Sequence, residues 1–250
     1  MRTAQQLYEG VDIGQGTVGL ITYMRTDAVI LANEAIAEIR DYIVATFDGD
    51  FLPKNPVTYK NKSKNAQEAH EAIRPTSILR TPESVKPFLS ADQFKLYDLI
   101  WKRTLACQMA PAKFDTTSVD ILVGPGTFRA SGQVQVFAGF LAVYEEDVDD
   151  AEDEDNAKLP LLETGETLPL DKLYGEQHFT QPPPRFSEAS LVKALEEFGI
   201  GRPSTYASII YTLKDREYVT LDKKRFMVPP GTVQIEILFG LPFDTKPKAC

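Results

Sequence analysis

Cysteine and histidine are scarce in this chain: its 250 residues hold Cys107, Cys250, His70 and His178 and no others of either type. There is no Cys-x-x-Cys pair, so neither a zinc site nor a disulfide framework is expected, and a reducing cytoplasm fits. Long apolar runs are lacking as well. The longest, residues 136–144 (VFAGFLAVY), reads as a strand and falls short of the ~18–20 residues that span a bilayer. The opening MRTAQQLYEG has no apolar stretch of the secretory kind, so no signal peptide and no membrane partner are expected. Basic charge is not in excess either, since the net charge is −9. That figure comes from one place. Residues 145–155 (EEDVDDAEDED) hold nine acidic side chains; set them aside and 27 acidic residues face 27 basic ones. The run reads as a self-repelling solvated loop, and the rest of the chain can carry local basic surfaces. Its DVDDAE core has no apolar scaffold around it and is not read as a metal site.

What is present is a chain of changing texture. TAQQLYEG reads as a helix end closed by Gly10, and Gly14, Gly16 and Gly19 punctuate a loop before apolar residues 20–24. Asp27 is a candidate N-cap for a helix over 29–47, whose apolar residues follow helical spacing. DGDFLPKNP breaks it. Residues 54–64 are basic, with Lys54, Lys60, Lys62 and Lys64 beside Tyr59. NAQEAHEAIRP predicts a short helix stopped before Pro75. Ser90 or Asp92 starts a strong helix that Pro111 ends. From residue 114 the chain is β-rich, with a Gly-Pro-Gly turn at 124–126, and residues 162–179 return to strand character. The prolines of TQPPPRFSE form a stiff connector. Ser187 then caps one helix, GIGRP makes a turn, STYASIIYTLKDRE is a second helix, and residues 218–228 form a two-stranded wing. That order suggests a winged-helix-like module. No internal repeat is present.

Candidate chemistry starts at GLITYMRTDA, residues 19–28. On an extended strand Tyr23 and Arg25 share a face. A phenol with an ordinary pKa near 10 is about one part in a thousand ionised at neutral pH. Attack on a phosphodiester therefore needs a cation that stabilises both the phenolate and the charge on phosphorus, and the arginine fork suits that role. By spacing alone, a packed tyrosine at a strand end is the ordinary reading. His70, between Glu68 and Glu71 in sequence, is by itself a helix-surface residue. Arg74 could contact phosphate or merely end its helix favourably. In GIGRPSTYA the glycines admit a close ligand, Pro203 and Ser204 start a helix, and its N-terminus favours phosphate at Arg202, Ser204 and Thr205; a plain helix-turn-helix corner would show the same glycines. Tyr206 reads as packing.

GLITYMRTDA resembles the active-site signature of the type IA DNA topoisomerases, which usually ends Tyr-Met-Arg-Thr-Asp-Ser; here Ala28 stands at the serine. AQEAHEAIRPT (66–76), LYDLIWKRTLACQMAPA (96–112) and the long block at 178–219 resemble further family signatures, in the family's order. The resemblance implies that Tyr23 becomes linked to a DNA 5′-phosphate, that Arg25 assists at the scissile phosphate, and that His70 aids catalysis or positions DNA. It implies DNA contacts for Arg74, Arg202, Ser204 and Thr205.

The fold class it implies is α+β and multidomain. A helical, winged-helix-like tyrosine-bearing domain (1–110) precedes a β-rich gate or arch segment (111–181) with the acidic loop at 145–157. Part of a winged-helix-like single-strand DNA-binding domain (182–250) follows. Family enzymes begin with a mixed α/β domain that supplies the Mg²⁺ site, and no segment here resembles it. The chain is thus expected to be an internal piece, inactive alone, with Mg²⁺ needed by the full enzyme and held outside these residues. Expected partners are single-stranded and negatively supercoiled DNA, and the expected state is a monomer. After Met227 the resemblance stops, which reads as a truncated, frame-shifted or artificially joined end. The reading from a different class is a non-catalytic DNA-binding module with an inert Tyr23.

Overall fold

A computed structural model describes residues 1–14, 16–60, 70–145, 159–160, 162–180 and 182–229. The chain is mixed helix and strand and divides into two compact units, Met1–Phe179 and Thr180–Cys250. Among the described residues no helix is long and apolar enough to cross a membrane.

In the first unit, helix α1 (Arg2–Glu9) ends at Gly10. Two short strands, β1 (Val11–Asp12) and β2 (Thr17–Val18), pair antiparallel and return the chain. It then runs back against α1, where the Leu20 N–H donates to the Leu7 carbonyl at 2.7 Å. Gly19 makes that approach possible, since a Cβ there would lie 2.7 Å from the Tyr8 carbonyl oxygen. The helix predicted over 29–47 is shorter: α2 spans Asn33–Thr46 with Ala32 as its N-cap, and Asp27 does not cap it. Residues 28–31 are withdrawn from the helix because they have another partner, the Ile30 carbonyl accepting the Ala72 N–H at 2.8 Å.

The short helix predicted to stop before Pro75 is absent over its described part. Residues 70–74 form no helix, because Ala72 bonds to Ile30 and Thr22, and Arg74 bonds to Thr22; residues 65–69, with Lys62 and Lys64, lie outside the described residues. The loop that follows is held from two sides. Glu38 of α2 accepts from the Ser77 hydroxyl at 2.7 Å and the Ile78 N–H at 3.1 Å. A short helix, α3 (Pro82–Val85), leads to α4 (Ala91–Ala106), which Ser90 and Gln93 start with a reciprocal capping box. From α4, Trp101 Nε1 donates to the Ile78 carbonyl at 2.9 Å and the Tyr97 hydroxyl to the Arg80 carbonyl at 2.7 Å. Burial pushes the Tyr97 phenol up, so it stays a neutral donor. Leu7, Leu20, Ile21, Ile39, Ile43 and Leu105 form the centre of the core.

Strands β3 (Lys113–Val123) and β4 (Gly126–Phe137) form a long antiparallel ribbon. One face pairs Asp120 with Arg129 and Ser118 with Ser131; the other pairs Ile121 with Phe128 and Val119 with Ala130. The strand read over 136–144 ends early. A 3₁₀ turn, Gly139–Ala142, replaces it, with the Phe140 N–H bonded to the Ala110 carbonyl at 2.9 Å. Strand character over 162–179 is also not realised: those residues join no ladder, because the strand pattern found no neighbouring edge among the described residues. All but Glu145 of the acidic run lies outside the described residues.

The second unit contains α5 (Glu188–Glu197), capped by Ser187, and α6 (Tyr206–Asp215). Strands β5 (Thr220–Asp222) and β6 (Arg225–Met227) follow as a hairpin. Ile210, Val219 and Phe226 form its small core, flanked by Leu191, Val192 and Leu213.

Candidate active site

Thr22 is the node of the site. It lies within the apolar run Leu20–Met24, and both its hydroxyl and its N–H are used. Its hydroxyl donates to the Ala72 carbonyl at 2.8 Å and accepts the Arg74 N–H at 3.0 Å, while its own N–H donates to the Arg74 carbonyl at 2.9 Å. An isolated antiparallel bridge joins Ile21 to Pro75, and the Thr76 N–H reaches the Leu20 carbonyl at 3.0 Å. Two segments about fifty residues apart in sequence are thereby locked side by side, with Tyr23 on one and His70 on the other.

Tyr23 is 36% exposed. Its ring sits between two others: Tyr8 edge-on, with centroids 5.4 Å apart, and the tilted imidazole of His70, also at 5.4 Å. Such contacts are modestly favourable and favour one orientation of the ring. Met24 is buried while Tyr23 and Arg25 are exposed on either side of it. Exposure alternates over these three residues, but the extended strand read for them is not formed, since the chain bends at Thr22, Met24 and Arg25. No carboxylate among the described residues pairs with Arg25. The Tyr23 phenol contacts the His70 imidazole and the exposed Arg25 follows two residues on, a set of groups that can supply a nucleophile and bind a negatively charged ester.

Arg74 is differently placed. Its Nε and Nη2 grip both oxygens of Glu71, at 2.9 and 3.0 Å, and its Nη1 donates to the Pro75 carbonyl at 2.9 Å. With its side chain only 15% exposed, it acts in this arrangement as a brace across the His70 segment; it does not end a helix. No three His, Cys, Asp or Glu side chains come together among the described residues, and both Glu71 oxygens are committed to Arg74. This donor set does not fit a divalent metal.

In the second unit, Gly199 and Gly201 turn the chain between α5 and α6 with φ of +69° and +80°. At Gly201 a Cβ would also meet the Thr205 hydroxyl at 3.1 Å and the Ile209 side chain at 3.0 Å. The Thr205 hydroxyl accepts the Arg202 N–H at 2.8 Å and donates to the Arg202 carbonyl at 3.1 Å. It closes the turn, and α6 begins at Tyr206, two residues later than a start at Ser204 would have it. Arg202, Ser204 and Thr205 are all exposed, and Tyr206 is half-buried.

Sequence reasoning missed Thr22, Tyr8 and Glu71. A polar residue embedded in an apolar run signals that its hydroxyl needs a partner. No local pattern marks Tyr8, which reaches Tyr23 only through the close approach at Gly19.

A profile of the family described as DNA topoisomerase matches residues 1–238, continuing past Met227, where the sequence reading ends its resemblance. A protein named DNA topoisomerase 1 from Xylella fastidiosa (strain Temecula1) is 58% identical over 231 residues, 90% of this chain and 28% of that protein. One of the same name from Rickettsia typhi is 54% identical over 248 residues, 98% of this chain and 32% of that protein. The structure of full-length topoisomerase I from Thermotoga maritima superposes with a TM-score of 0.71 at 32% identity, covering 96% of this chain and 39% of that one. The chain thus spans about a third of the length of these relatives.

Proposed function

The chain belongs to the bacterial type IA DNA topoisomerase family, and from that premise we propose that it carries the nucleophile of a strand-cutting, strand-resealing reaction on DNA. Tyr23 Oη attacks a backbone phosphorus, the bond from phosphorus to the 3′ oxygen breaks, and the enzyme retains the DNA 5′-phosphate as a phosphotyrosine. The leaving 3′-hydroxyl later reverses the step. The bond energy is conserved in the ester, so relaxation of negative supercoils needs no ATP. Arg25 stabilises charge on the phosphate, and His70 orients Tyr23 or the strand. Arg202, Ser204 and Thr205 contact the backbone of a single strand. Arg74 reaches phosphate by exchanging its Glu71 partner for it. The tyrosine-bearing region, the β ribbon as gate or arch, and the helix-turn-helix-wing unit divide this work. Any Mg²⁺ that the family reaction needs would be held by residues outside the described ones and would supply charge neutralisation at the phosphate. The setting is the cytoplasm.

The single observation behind this reading is that Tyr23, half-exposed, touches the His70 ring while Arg25, two residues away, pairs with no carboxylate among the described residues. The test supplies the chain with the metal-binding domain of a relative and a single-stranded oligonucleotide labelled at its 3′ end. After denaturation the wild-type mixture is expected to retain label on this chain, and Tyr23→Phe none. If neither mixture traps label while both bind the oligonucleotide, the chain is a DNA-binding module and the catalytic reading is wrong.

A further inference from the structure

Strands β5 and β6 are joined by two residues only, Lys223 and Lys224, between the paired Asp222 and Arg225. Both lysines adopt left-handed backbone, with φ of +45° and +64°. A two-residue hairpin of this hand demands positive φ at both positions, and Asn-Gly or Asp-Gly are the sequences that reach it without strain. Lysine has a Cβ that opposes the conformation and no short polar group to compensate. The turn is thus built from residues poorly suited to it.

The hairpin is nonetheless firmly mounted. Phe226 is buried, its N–H donates to the Phe186 carbonyl at 2.8 Å, and Arg225 Nη1 donates to the Arg185 carbonyl at 2.9 Å. An isolated bridge joins Arg225 to Ser187. The lysines at the tip are exposed and, among the described residues, form no ion pair. By contrast Lys214, on the neighbouring helix, is held by Glu188 at 2.8 Å.

We infer that the Lys223–Lys224 turn grips the phosphates of a single DNA strand, as a contact separate from the Arg202 loop at the start of α6. Two adjacent ammonium groups on a fixed tip suit contacts that ignore base sequence, because lysine offers a point charge without the geometric demands of a bidentate fork. The inference rests on the reading of this chain as a DNA-handling protein.

The test replaces the turn by its unstrained form, Lys223→Asn with Lys224→Gly, in the whole chain. Fluorescence anisotropy follows binding of a single-stranded thymidine oligonucleotide across a salt series, and thermal melting follows the fold. The doubly substituted chain is expected to melt higher than wild type and to bind about tenfold more weakly at ~50 mM salt. Its log Kd against log salt should be flatter by about 1.4, from about 0.7 for each of two lost phosphate contacts to a single strand. Lys223→Arg with Lys224→Arg should bind like wild type. Because the key variant is the more stable one, weaker binding is not a symptom of misfolding. Wild-type affinity and salt slope in the Asn-Gly variant, alongside weakened binding by Arg202→Ala, overturn this inference alone. No binding by the wild-type chain at low salt overturns it together with the reading on which it rests.

Discussion

Replacing Thr22 by valine keeps the shape of the side chain and removes its hydroxyl. Two hydrogen bonds are lost, to the Ala72 carbonyl at 2.8 Å and from the Arg74 N–H at 3.0 Å. Both are part-buried, and the Arg74 N–H has no other partner among the described residues. At about 1 kcal/mol per bond, with an added cost for stranding a backbone donor, Thr22→Val should destabilise the first unit by about 2–3 kcal/mol. For a unit of this size that corresponds to a fall of about 4–12 °C in its melting midpoint. Calorimetry measures the shift, and amide hydrogen exchange supplies the local reading: Arg74 should lose protection beyond the global change. Thr22→Ser retains the hydroxyl and should keep the Arg74 amide protected. The valine variant should also trap less covalent DNA in the reconstituted reaction, because His70 and Tyr23 are held together through this node. A fall below about 0.5 kcal/mol, or equal loss of Arg74 protection in serine and valine variants, would show that Thr22 does not join the two segments.

Gly19→Ala places a methyl group against the Tyr8 carbonyl, a backbone atom that cannot swing aside. We expect about 1–3 kcal/mol of destabilisation in a denaturant titration, whereas a neutral result would mean that α1 yields freely. Ser90→Ala removes the cap that opens α4 and should cost about 1 kcal/mol in the same titration, with Ser90→Thr largely retaining it. Burial pushes the Cys107 thiol up, so iodoacetamide at pH 8 should label it more slowly than a free thiol and catch up once denaturant exposes it; mass spectrometry of the labelled peptide reports the rate.

Local signals account for α1 and its Gly10 end, the Ser90 and Ser187 caps, the turn at 124–126, and the order helix, turn, helix, hairpin after residue 187. Each rests on contacts within a few residues, which is the range over which capping and turn chemistry act. Long-range pairing decided the failures. Residues 29–31 and 70–74 read as helical, yet Ile30 pairs with Ala72 and Arg74 with Thr22, and neither stretch is helical. Apolar residues 138–142 have strand composition but curl where Phe140 meets Ala110. The motif around Tyr23 was legible as a chemical suggestion because residue types at fixed spacing can be read directly. By itself the sequence determined which groups are available: a phenol, a guanidinium and an imidazole. Only the tertiary structure decided that Tyr8 and His70 flank that phenol and that Arg74 is committed to Glu71. The His70 contact crosses about fifty residues of sequence and the Tyr8 contact depends on the close backbone approach at Gly19; no periodicity encodes a distance of that kind, and the Arg74–Glu71 pair, though only three residues apart, forms on a stretch that its sequence reads as helix.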